Sequence, residues 1–168
     1  MKKPMIARYV AIGMLACMVS FTAQAQRSLE NLVSEAKAEW MFGQWQGTGE
    51  KGESSTLNIS WDLEKHVVLL HLKMRGVESK GYTVMEPKSE MPKFYSFDKD
   101  GTISKGDWAM EGTDLVLRVA AESATLGSWK QGFVFTGSAS EGLTVNLHGI
   151  DSSGNLSATK ETLKFKKQ

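Results

Sequence analysis

The sequence predicts an all-β domain, an antiparallel up-and-down barrel of nine to ten strands preceded by one short helix. Three observations carry that expectation. From Trp45 to the C-terminal lysines apolar residues recur with a period of two, the separators are short and rich in Gly, Asp, Ser and Asn, and only one segment shows helical spacing.

Residues 1–25 precede the domain and have the layout of a cleaved secretory signal peptide. Lys2, Lys3 and Arg8 form a positive start, Tyr9 to Phe21 an apolar run, and Ala23-Gln24-Ala25 a small-x-small cleavage site. The expectation is export to the periplasm. Met14-Leu15-Ala16 ahead of Cys17 gives a second reading, a lipoprotein signal, but the residues after Cys17 stay apolar where a lipid tether is polar. Cleavage after Ala25 leaves residues 26–168, enough for one domain with its own core. That portion has no cysteine, so disulfides, thiolate metal sites and cysteine nucleophiles are excluded from it. Losing Lys2, Lys3 and Arg8 takes 20 basic residues to 17 against 19 acidic, a net charge of −2. The only basic run is Lys164, Lys166 and Lys167, so the face that a phosphate backbone needs is missing and no nucleic-acid partner is expected.

The helical segment is Ser28 to Trp40. Ser28 is placed to cap it, Leu29, Leu32, Val33, Ala36 and Trp40 share a face, and Gly43 ends it. Strands follow. Leu57, Ile59, Trp61 and Leu63 alternate with polar residues, as do Val68, Leu70, Leu72 and Met74, then Leu115, Leu117 and Val119, then Leu143, Val145 and Leu147. Phe133 and Phe135 flank Val134, and Thr159, Glu161, Leu163 and Phe165 share the last face. One apolar and one wet face per strand is the mark of an antiparallel sheet. Hairpin loops are expected at 98–101, 111–114, 138–142 and 151–155, and Pro87 and Pro92 bracket another turn. A meander of this length removes its edges by closing on itself.

Gly43-Gln44-Trp45-Gln46-Gly47-Thr48-Gly49 stands where the helix hands over to the first strand. There the chain resembles the calycin superfamily, lipocalins and their bacterial relatives, and most of all the lipocalin-like domains of small bacterial exported proteins. The resemblance implies a structural motif of Gly43, Trp45, Gly47 and Gly49. In it Trp45 plugs one end and a basic residue of the last strand, Lys164 or Lys166, covers the indole. The same motif resembles the opening of nitrobindin-type haem barrels, which need a proximal histidine near the C-terminus. His148 is the only histidine in that half and sits opposite the apolar face of its strand, so no haem or other cofactor is expected.

No metal site is expected. His66 and His71 point to opposite sheet faces, and Asp98-Lys99-Asp100-Gly101 lacks the third acid and closing glutamate of a calcium loop. No G-x-S-x-G elbow or other catalytic pattern occurs, so no catalytic residue is assigned and the chain is not expected to be an enzyme. Should a cavity enzyme nonetheless be sought, Tyr82, Tyr95 and an inward Glu161 are the groups to test. Arg75 and Arg118 are expected mid-strand on wet faces. The aromatic and methionine residues Trp61, Met74, Tyr82, Tyr95, Trp108, Met110, Phe133 and Phe135 are the expected lining of an internal cavity for a small, mainly apolar molecule. A solid barrel working through protein partners is the alternative, and membrane insertion is not expected.

Overall fold

The computed structural model describes residues 27–48, 52–138 and 140–168, so the expected signal peptide, Cys17 and Gly49 lie outside the described residues. The chain there opens with helix α1 (Leu29–Glu35), whose cap is the expected one: Ser28 Oγ accepts from the Asn31 N–H at 3.1 Å. The helix is shorter than its apolar spacing suggests. Lys37 adopts a left-handed conformation (φ 51°), the Lys37 N–H donates to Ser34 O and the Ala38 N–H to Val33 O. This is a Schellman closure with lysine where glycine is usual. The chain then makes a separate 3₁₀ turn at Glu39–Met41, which buries Ala38 and Met41 against the barrel.

Ten strands follow: β1 (Gly43–Thr48), β2 (Ser54–Asp62), β3 (Val67–Met74), β4 (Val77–Glu86), β5 (Met91–Asp98), β6 (Ile103–Glu111), β7 (Asp114–Ser123), β8 (Gly127–Ser138), β9 (Gly142–Ile150) and β10 (Leu156–Lys167). Each pairs antiparallel with its successor, and β10 returns to β1 to close the barrel. The closing seam is the shortest, with four register pairs from Trp45↔Lys167 to Thr48↔Lys164, against nine between β6 and β7. Gly47 lies within it. A Cβ there would stand 2.4 Å from the Lys164 carbonyl oxygen and 2.7 Å from the Phe165 ring, so only glycine lets the two strands meet.

Inward residues from all round the barrel form one core, with Trp45, Leu57, Ile59, Leu117, Leu143, Val145, Leu163 and Phe165 buried. Trp45 is 1% exposed, and its Nε1 donates to Met41 O at 2.7 Å, joining the 3₁₀ turn to the first strand. The cation over its ring is Lys167, with Nζ 5.4 Å from the ring centroid, rather than Lys164 or Lys166. Register explains the correction. Lys167 pairs with Trp45 and has the parity of Leu163 and Phe165, whereas Lys164 and Lys166 have the opposite parity.

Candidate functional site

Helix α1 lies across one end of the barrel, and the interior is divided into two chambers. The first, about 230 Å³, lies between the helix and that end, with Leu29, Leu32, Val33, Met41, Val68 and Pro92 among its walls. The second, about 250 Å³, is the lumen beyond it, walled by inward residues of β2 to β10. An aromatic partition stands between them. Trp108 faces the first chamber and packs edge-on to Phe94 (centroids 6.4 Å apart) and obliquely on Phe135 (5.3 Å), both of which face the lumen. Trp108 is held by its own polar atom, since Nε1 donates to Thr83 Oγ1 at 2.9 Å. Gly81 makes room for this arrangement: a Cβ on it would strike the Phe94 ring at 2.5 Å.

The expected lining residues fall into four groups. Met74, Phe133 and Phe135 face the lumen, and Trp108 and Met110 face the chamber under α1. Trp61 lines neither chamber; it stacks on Phe42 at 4.7 Å beside the helix end. Tyr82 and Tyr95 are a correction, for they lie on the outer face. They stack on each other at 5.5 Å, and Tyr82 also stacks on Phe97, which is 49% exposed. Their strands turn small residues inward instead, Ser79, Gly81 and Thr83 from β4 and Ser96 from β5.

That inversion hides the most polar part of the lumen. Ser79 is opposite Asp98 in the register of β4 with β5, and Ser96 is opposite Ser104 in that of β5 with β6. All four line the lumen, with Gln131 of β8, while the remaining walls are Leu57, Leu72, Leu117, Val119, Val145, Leu147 and other apolar residues. Ser96 is 5% exposed. Alternation alone could have found this group, because Ser79, Ser96 and Asp98 have the same parity as Gly81 and Phe94 on their strands.

Beyond Met74, at the end away from α1, the wall is tied by ions. Arg75 is not mid-strand but in the turn after β3, with φ 50°. Its guanidinium makes a two-pronged contact with Glu161 of β10, and Nε lies 3.2 Å from Glu53 Oε1. Glu161 is 15% exposed, on the parity of Leu163 and Phe165. Arg118 faces outward and pairs with Glu111. Among the histidines, His71 Nε2 lies 2.7 Å from Glu78 Oε1 on the outside, a hydrogen bond that holds the Glu78 carboxyl below its ordinary value. His148 Nδ1 lies 2.8 Å from Ser157 O, and His66 is exposed after the turn that follows β2. Among the described residues no three His, Cys, Asp or Glu side chains group as a metal site.

No protein-family model matches the chain, and no curated protein matches it either.

Proposed function

We propose that this is an exported, periplasmic binding protein of calycin-like type that holds a small, mainly apolar molecule in its lumen and does no chemistry on it. The observation that carries the reading is the lumen, a chamber of about 250 Å³ walled chiefly by Leu, Val, Phe and Met in a barrel whose strands hold it open. The layout of residues 1–25 supports export. The outer positions carry Lys73, Lys80, Lys93, Lys105 and Arg118, charges that suit water rather than the lipid-facing band of a membrane barrel. Among the described residues no helix is long and apolar enough to cross a membrane.

The test is fluorescence titration with the neutral apolar dye N-phenyl-1-naphthylamine on protein purified from cells that express the full chain. Saturable enhancement is expected, and it should vanish in Ala121→Phe, which fills the lumen from β7, while the circular dichroism spectrum is kept. Absence of dye binding to the native protein, or binding equal in the filled variant, would overturn the reading in favour of a barrel that acts through protein partners.

A further inference from the structure

The lumen is apolar on most sides, but its polar atoms are gathered on one wall and carry a sign. Among the described residues Asp98 is the only charged one that lines it; no lysine, arginine or histidine does. Around Asp98 stand Ser79, directly opposite on β4, and the Ser96–Ser104 pair one step further in. Among the described residues the Asp98 carboxylate and these three hydroxyls make no side-chain hydrogen bond or ion pair, although Ser96 is 95% buried. Ser79, Asp98 and Ser104 are half-buried, so water or a molecule in the cavity is what meets them, and a polar head entering the lumen would have to match them. Arg75, in the turn after β3, is already shared by Glu53 and Glu161, so that end of the barrel adds two carboxylates for one guanidinium. Lys99, next to Asp98, is an exposed turn residue, and its N–H donates to Glu78 O.

We infer that the ligand of the lumen is an amphiphile with a protonated amine or similar cationic donor head. This rests on the reading of the lumen as the binding site and goes further by naming the ligand's charge. The head is met by the Asp98 carboxylate, with hydroxyls from among Ser79, Ser96 and Ser104 accepting its two remaining N–H groups. The hydrocarbon part lies along Leu72, Met74, Leu117, Phe133 and Leu147. An ammonium has three donors and no acceptor, so a wall of one carboxylate and three hydroxyls can satisfy it fully. A carboxylate head would face Asp98 as a like charge inside a low-dielectric chamber.

The test displaces bound N-phenyl-1-naphthylamine with three probes that share one chain and differ in the head: decylammonium, decanol and decanoate. Decylammonium is expected to displace the dye at roughly tenfold lower concentration than decanoate, with decanol between, the scale of one charge-assisted hydrogen bond. Asp98→Asn should bring decylammonium to within about twofold of decanol, the difference that the lost charge-assisted bond accounts for. Asp98→Asn should keep the native circular dichroism spectrum, and reading decylammonium against decanol in the same variant separates loss of charge from loss of fold. Decanoate displacing as well as decylammonium, or an amine preference that survives Asp98→Asn, would overturn the inference while leaving the lumen as the site. Failure of the dye itself to bind would instead remove the reading on which it rests.

Discussion

Single side chains hold this barrel together where strands or elements meet. Gly47 is one such point, and Gly47→Ala forces the closing strands apart against a backbone oxygen that has nowhere to go. A loss of about 1–3 kcal/mol is expected from such overpacking, read as a lower urea midpoint with an unchanged slope. Thr83 is another: it is 4% exposed and accepts the only hydrogen bond of the Trp108 indole. Thr83→Val keeps the shape and strands that N–H, so a cost of about 1–3 kcal/mol is expected in the same assay. Asp100 shows a titrating counterpart. Its carboxylate accepts from the Thr102 N–H at 3.1 Å, which holds it below the ordinary carboxylate value. A depressed folded value gives stability that is present above the unfolded pKa and lost as pH falls through the folded one. Exchange of the Thr102 amide with deuterium should therefore accelerate, relative to its neighbours, as the solution is acidified below the ordinary aspartate range. An unchanged protection profile in Asp100→Ala would show that the contact contributes nothing.

At the scale of elements, periodicity made the strands legible, and the turn residues made the hairpins legible. The loops at 98–101, 111–114 and 151–155 coincide with the joins of β5 to β6, β6 to β7 and β9 to β10. The reading went astray where parity competed with residue size. Along β4 and β5 one face offers Ser79, Gly81, Thr83 and Ser96 beside a single ring, Phe94, and the other Tyr82, Tyr95 and Phe97, and expectation places the larger side chains in the interior. A chamber inverts that preference, because residues that leave space must be small, and the aromatic rings then stack on the outside. The helix was misjudged for a different reason. Apolar spacing continues through Ala36 to Trp40, but Lys37 turns left-handed, and no local residue type announces it. What α1 contributes is a cover. Leu29 is 4% exposed beneath it, so Leu29→Ala should cost about 2–5 kcal/mol in the same urea assay if the helix is integral to the fold. A cost near zero would mark it as an appendage.

For the whole molecule, nine of the ten strand pairings join neighbours in sequence, and one joins the two ends. Hairpins close short loops, whereas the β1–β10 seam must close a loop of more than a hundred residues, so its entropic cost is the largest. It also has the fewest pairs to repay that cost. Removing residues 164–168 deletes every β10 partner of β1, together with the cation over Trp45, and should leave no cooperative thermal transition. A truncated chain that still melts cooperatively near the native temperature would show that the hairpins suffice.

The aromatic partition has an optical consequence. Indole emission responds to the polarity and packing around the ring, and Trp129 lines the lumen while Trp108 leans on two of its wall residues. Trp45, by contrast, lines neither chamber and is sealed in the core. A molecule entering the lumen would alter the surroundings of both rings, a change readable without a dye or a label, with Trp108→Phe and Trp129→Phe apportioning the signal between partition and wall.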